Sequence, residues 1–257
     1  MALLVADIGN SQTVLGLVED GEVLAHWRVS TEERRTSDEW SLLVRGVFRE
    51  VPECELSGIA VCSTVPQVLH EWREMLERHF PHVPAVVVEP GVRTGIPVLT
   101  DNPREVGSDR VINALAAAKE FTGPSIVVDF GTATTFDVVT AKGQYVGGAI
   151  APGIEISLEA LQRRGAQLRK VELVRPRTVI AKNTVEALQS GLVFGVAAQV
   201  DGLVSRMIDE LGEPREVVNV VATGHLAPLV IDECVSFTHH EPWLTLIGLE
   251  LVFQRNA

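Results

Sequence analysis

The chain has 257 residues, 46 % of them hydrophobic, with 22 Lys+Arg against 34 Asp+Glu for a formal net charge of −12. That length suits one large domain or two modest ones, and the apolar fraction excludes a disordered chain. The acidic balance argues against a surface made for nucleic-acid phosphates, although a few placed arginines or backbone N–H groups can still hold a small anion. No basic segment precedes the first apolar run, and runs such as 124–128 are far too short to span a bilayer, so a cytoplasmic protein without a membrane segment is expected. Cys54, Cys62 and Cys234 are odd in number and lack metal-type spacing, which predicts buried, reduced thiols.

In chain order, 3–6 reads as a short buried strand. Segments 13–18 and 22–29 follow as a hairpin around Asp20 and Gly21, a pair that favours a type I′ turn. The spacing of Trp40, Leu43, Val44 and Val47 predicts a helix over 36–50, with Ser37 or Asp38 as its cap. A strand at 58–62, a helix at 66–79 opened by Pro66, and a strand at 85–88 come next. A Pro/Gly-rich stretch over 90–103 leads into a helical segment, 104–121, interrupted near Gly107. The second half repeats the plan: a strand at 125–129, a hairpin of 134–140 and 144–148 around Lys142 and Gly143, helices at 154–168 and 183–211, a strand at 217–222 and a closing helix at 244–255. This predicts a duplicated α/β protein, with domains over 1–119 and 120–257.

The repetition extends to the chemistry. Asp129, Gly131 and Thr135 echo Asp7, Gly9 and Thr13 at one offset (129 − 7, 131 − 9 and 135 − 13 all equal 122). Each half delivers an Asp at a strand end, then a Gly, then small polar residues. Gly9 and Gly131 are expected to take positive φ and let backbone N–H groups approach phosphate, while the carboxylates suit cations, Asp7 holding Mg²⁺ through water. Taken alone, Asp7 and Asp129 could equally be turn-capping residues.

The segments DIGNSQT at 7–13, PGVRTG at 90–95, DNPREVGSDR at 101–110, DFGTATT at 129–135, GGAIAPG at 147–153, KNT at 182–184, GLVFG at 191–195 and WLTLIG at 243–248 occur in an order and spacing that resembles the type III pantothenate kinases along essentially the whole chain. The resemblance implies two ribonuclease-H-like domains of the actin and sugar-kinase type with an ATP cleft between them. It implies ATP-dependent phosphorylation of pantothenate to 4′-phosphopantothenate, the first step of coenzyme A synthesis, by a cytoplasmic homodimer. ATP would be held by Asp7, Ile8, Gly9, Asn10, Ser11, Gln12, Thr13, Val14 and Thr132. Asp109 would be the general base, and Gly107, Ser108, Asp109 and Arg110 would line the pantothenate pocket, with Thr184 contributing across the dimer interface. Asp129 would hold a monovalent cation, K⁺ or NH₄⁺. Arg110 suits the pantothenate carboxylate, because a guanidinium pairs with it bidentately.

Blander readings stand beside these. Asp109 is also a natural helix-start carboxylate with Arg110 as a surface partner, and Thr184 a first-turn residue between a capping Asn183 and Glu186. Gly191, Gly195, Ala198 and Gly202 form a small-residue stripe that reads as close helix packing, within or between subunits. The sequence departs from the family pattern at Thr100, where many relatives carry an aromatic residue, at Ser108, and at His225, which follows Thr223 and Gly224. His225 either stacks on the adenine or is a core histidine beside Asn219. The other histidines (His26, His70, His79, His82, His239 and His240) show no ligand spacing, the last two reading as a solvated loop, and the arginines from Arg163 and Arg164 to Arg177 read as a solvated face or subunit contact. The alternatives are a non-enzymatic transcription accessory protein of the same fold, or an ATPase or phosphatase of the same superfamily.

Overall fold

The computed structural model describes residues 1–49, 51, 55–89, 91–164 and 171–257. Glu50, Cys54, Pro90 and the expected helical residues beyond 164 lie outside the described residues. In chain order the elements are β1 (Ala2–Ile8), β2 (Gln12–Glu19), β3 (Glu22–Ser30), α1 (Ser37–Phe48), β4 (Leu56–Ser63), α2 (Pro66–His79), β5 (Ala85–Val87), α3 (Ser108–Glu120), β6 (Ser125–Phe130), β7 (Ala133–Val139), β8 (Tyr145–Pro152), α4 (Ile154–Arg164), α5 (Thr184–Leu211), β9 (Asn219–Thr223), α6 (Ala227–Val230), β10 (His239–His240) and α7 (Leu244–Asn256). The chain divides into two compact units, one of Met1–Ile96, Asp101–Ala116 and Trp243–Ala257, the other of Pro97–Thr100 and Ala117–Pro242.

The first unit holds a sheet in the order β3-β2-β1-β4-β5, the second a sheet in the order β10-β9-β6-β7-β8. In each, the leading strand (β1 or β6) pairs antiparallel with the hairpin that follows it and parallel with the strand that returns after the helices. Duplication is therefore present in the pairing as well as in the sequence. β1 and β6 are almost continuously apolar because they are covered on both faces, whereas the edge strand β3 alternates exposed and partly buried positions. Trp40 of α1 and Trp72 of α2 meet with ring centroids 5.3 Å apart over the first sheet, both fully buried.

Several local expectations hold and several shift. Asp20 and Gly21 have φ of 54° and 83°, the two positive values that a type I′ turn needs. The cap of α1 is Thr36, one residue before the expected Ser37. Its hydroxyl accepts from Glu39 N while the Glu39 carboxylate accepts from Thr36 N at 2.8 Å, a reciprocal box that neither Ser37 nor Asp38 can form from inside the helix. α5 is capped by Asn183 and ends at Gly212, φ 68°. His239 and His240 are a short strand extending the second sheet beside β9, rather than a loop, although both remain exposed. α7 is grouped with the first unit: Leu246, Leu249 and Val252 are buried, and a Cβ on Gly16 would lie 2.7 Å from Leu246.

By length and average composition α5 is apolar enough to cross a membrane, although polar residues interrupt its apolar runs. Val193, Val196, Val200, Val204 and Ile208 bury one face against the second sheet's core, which accounts for the composition without a membrane.

Candidate active site

Asp7 is the last but one residue of β1, and the parallel pairing with β4 sets Cys62 beside it. The Cys62 thiol donates to Asp7 Oδ1 at 3.3 Å. After Ile8 the chain makes a four-residue turn, 9–12, closed by Gly9 N donating to Gln12 O at 3.0 Å, before Thr13 pairs back with Ile8. Neither Gly9 nor Gly131 takes positive φ, contrary to expectation. What position 9 requires is closeness, since a Cβ there would lie 3.1 Å from Gln12 O. Asn10 and Ser11 are exposed at the tip, Gly9, Gln12 and Val14 are partly exposed, and Ile8 and Thr13 are buried. The Thr13 and Thr31 hydroxyls share a hydrogen bond of 2.9 Å.

Asp109 stands in the first turn of α3 together with Ser108 and Arg110. Its Oδ1 is buried and has no hydrogen-bond partner. Gly107 makes this arrangement possible, because a Cβ there would lie 2.5 Å from that oxygen. Burial raises the Asp109 pKa, against the opposing pull of the Arg110 backbone N–H and guanidinium. Asp7 senses it: burial first, then the Asp109 charge, push the Asp7 carboxyl up to about 7, while the Cys62 hydrogen bond pulls the other way. Burial and the two carboxylates in turn raise the Cys62 thiol, which stays protonated as a donor. A carboxylate whose charge is disfavoured by a neighbouring carboxylate, the neighbour having a bare oxygen, is a donor set that suits a divalent cation. Asp7, Cys62, Gly107, Ser108, Asp109 and Arg110 are all residues of the first unit. Cys62 was not singled out as a site residue from sequence; its signal was its place at the end of a buried strand that pairs parallel with β1.

The second unit presents a related but different turn. Phe130 pairs with Thr134, leaving three residues, 131–133, between the strands, closed by Gly131 N donating to Ala133 O at 3.1 Å. Thr134, not Thr135, is thus the counterpart of Thr13, and both are buried. The lost residue reappears at the next hairpin, where 141–143 form a three-residue loop with Gly143 at φ 67°, against two residues in the first unit. Asp129 lies beneath Gly224, φ 89°, where a Cβ would lie 2.6 Å from Phe130 N and closer still to Asp129 Oδ1. A side chain at 224 would therefore displace the Asp129 carboxylate. Thr132, in the turn, is partly exposed. Thr184 is the exposed first residue of α5, behind Asn183, whose side chain accepts from Glu186 N at 2.9 Å, while Arg177 pairs with Glu186.

The model of the type III pantothenate kinases matches residues 3–206. The chain belongs to that family. A type III pantothenate kinase from Nocardioides sp. is 74 % identical over 258 residues, covering 100 % of both chains, and one from Thermobifida fusca is 60 % identical over 99 % of this chain and 100 % of its own. Among solved structures, an activator of the 2-hydroxyisocaproyl-CoA dehydratase from Clostridium difficile, with bound ADPNP, superposes with a TM-score of 0.56 at 11 % identity, covering 100 % of this chain and 96 % of its own. That likeness shows the fold alone: an α/β protein of two ribonuclease-H-like units, of the actin and sugar-kinase type. Within the type III pantothenate kinase frame, two departures acquire surroundings. The Thr100 hydroxyl is buried with no hydrogen-bond partner, and His225 Nε2 faces the Glu155 carboxylate at 3.9 Å, whereas Asn219 donates to the Thr122 and Pro124 carbonyls. A carboxylate neighbour for His225 was not expected from sequence. On the outside of α2, His70, Glu71 and Glu74 bring ligand atoms within 4.8 Å of one another despite their unpromising spacing, with Glu71 accepting from Ser37 N and Glu74 from Arg78.

Proposed function

We propose that this chain transfers the γ-phosphate of ATP to the primary hydroxyl of pantothenate, forming 4′-phosphopantothenate and opening coenzyme A synthesis in the cytoplasm. The observation that carries the reading is the bare, buried Asp109 oxygen at the start of α3, cleared by Gly107 and coupled to Asp7. A carboxyl whose pKa is raised is a stronger base than a free one. Asp109 accepts the hydroxyl proton as the oxygen attacks the phosphorus in line, and Arg110 pairs with the carboxylate at the other end of the substrate. Gly107 and Ser108 form the adjoining wall of the pocket, and Thr184 reaches it from the second subunit of a homodimer. Asp7 holds Mg²⁺ through water, and backbone N–H groups over 8–14 meet the phosphates. Thr132 contacts ATP from its own turn, and Asp129 holds K⁺ or NH₄⁺. The cations supply charge neutralisation to a transfer whose rate depends mostly on positioning and electrostatics. The partners are thus two small molecules, ATP and pantothenate.

ADP release from Mg·ATP, measured with and without pantothenate in K⁺ and again in Na⁺ buffer, tests the proposal. Pantothenate-dependent release that is faster in K⁺ supports both the reaction and the cation at Asp129. Release that ignores pantothenate overturns the kinase reading in favour of an ATPase.

A further inference from the structure

Asp137 is a fully buried carboxylate in the middle of β7 that the reaction above does not use. Burying a carboxylate is costly unless its oxygens are satisfied. Asp137 Oδ1 accepts from the Tyr145 hydroxyl at 2.9 Å and Oδ2 accepts from the Thr135 hydroxyl at 3.0 Å. Tyr145 is itself buried, and both its backbone groups are tied to the 97–99 segment, its N donating to Pro97 O at 2.9 Å and its O accepting from Leu99 N at 2.8 Å. The assembly is rigid, and its one partly exposed member is Thr135.

A threonine hydroxyl has one proton to donate and two lone pairs. In this geometry the proton is committed to Asp137, so whatever else meets Thr135 Oγ1 meets lone pairs. Thr135 is the direct cross-strand partner of Asp129, and cross-strand partners share one face of a sheet. The same face therefore carries an anionic oxygen and, beside it, a hydroxyl oxygen restricted to accepting. Two such oxygens repel a phosphate. They suit a hard cation, or the N–H donors of ammonium. The first unit lacks this arrangement: the residue paired with Asp7 is Val14, and that paired with Val5, as Asp137 is paired with Val127, is Gly16.

We propose that Thr135 is a second oxygen ligand of the monovalent cation assigned to Asp129, kept in its accepting role by Asp137 and Tyr145. This rests on the Asp129 reading given above. The test is thermal denaturation in KCl against choline chloride at equal ionic strength, for the wild type, Thr135→Val, Thr135→Ser and Asp129→Asn, with the K⁺ concentration for half-maximal kcat measured alongside. Thr135→Val keeps the shape and removes the oxygen, and Thr135→Ser restores it. The expected result is a K⁺-dependent rise in Tm for the wild type and Thr135→Ser that is lost in Asp129→Asn and Thr135→Val, with the half-maximal K⁺ concentration raised at least tenfold in Thr135→Val. A potassium-responsive wild type with an equally responsive Thr135→Val overturns the assignment of Thr135 and leaves Asp129 standing. A wild type indifferent to K⁺ in both readouts removes the Asp129 cation, and the role of Thr135 with it.

Discussion

Replacing Gly107 by alanine isolates the placement of the proposed base from its chemistry. The backbone at 107 is not in the left-handed region, so the methyl group brings no conformational strain. It would lie 2.5 Å from Asp109 Oδ1, and reaching the ordinary contact distance of 3.4 Å requires the oxygen to move by 3.4 − 2.5 = 0.9 Å. A displacement of about 1 Å at a reacting group costs on the order of 10²-fold in rate, or about 2.7 kcal/mol. Position 107 immediately precedes α3, where alanine is a poorer cap than glycine, so stability should fall by no more than about 1 kcal/mol. The expected outcome is a kcat for pantothenate-dependent ADP release reduced by ~10–100-fold, with KM for pantothenate changed much less and Tm lowered by a few degrees. A Gly107→Ala protein within about twofold of the wild-type kcat would refute the claim that this glycine exists to place the Asp109 carboxylate.

Asp109→Asn retains the shape and removes the proton acceptor; kcat should fall by at least ~10³-fold while ATP binding, followed by titration calorimetry, changes by less than about threefold. Asp7 gives a pH dependence with a definite sign. Its carboxyl ionises near 3.8 when unfolded and near 7 when folded, so between those values the folded state holds the extra proton and the metal-free protein loses stability as pH rises. Mg²⁺ needs the ionised carboxylate, so its apparent affinity, read from the Tm shift across about pH 5.5 to 8, should rise by up to about tenfold per pH unit and level off above 7. Cys62→Ala removes the hydrogen bond that favours the ionised form and should move that midpoint upward, while Cys62→Ser holds it; identical midpoints in the wild type and Cys62→Ala would contradict the thiol's part.

Much of the fold was legible because it rests on local rules. Asp20-Gly21 dictates its turn, the apolar runs around 3–6 and 125–129 dictate central strands, and Asn183 and Gly212 bracket α5 with a cap at each end. The Asp-x-Gly pattern also led to the ends of β1 and β6, where Asp7 and Asp129 lie. What was hidden depends on register and on tertiary neighbours. An offset of 122 counts residues, not strand pairs, and it survives here because one residue missing from the 131–133 turn returns in the 141–143 loop. The echo of Thr13 at Thr135 is therefore a match of sequence alone, its structural counterpart being Thr134. Cys62 becomes a partner of Asp7 only once β4 is known to lie parallel to β1, and the bond from Thr135 to Asp137 was not predicted although the two are only two residues apart. The return of α7 to the first sheet was invisible because its packing depends on Gly16 and Gly58, which have no distinctive local signature.

The two halves keep one topology but surround their repeated Asp with different residues. At the end of β1 the neighbour across the antiparallel pair is Val14, so the carboxylate of Asp7 takes its partner from the parallel side, Cys62, and its electrostatic pressure from Asp109. Two residues further from the turn, on the same face, the first unit has Gly16, whose missing side chain is filled by Leu246 of α7. At the end of β6 the corresponding positions are Thr135 and Asp137, and no leucine could take that place without stranding the hydroxyls of Thr135 and Tyr145. The first turn thus holds a carboxylate whose charge is disfavoured by burial and by Asp109. The second holds a hydrogen-bonded row of oxygens from Thr135, Asp137 and Tyr145. A duplicated strand and turn thus places the same Asp twice, with Val14 and Gly16 across from one strand and Thr135 and Asp137 across from the other.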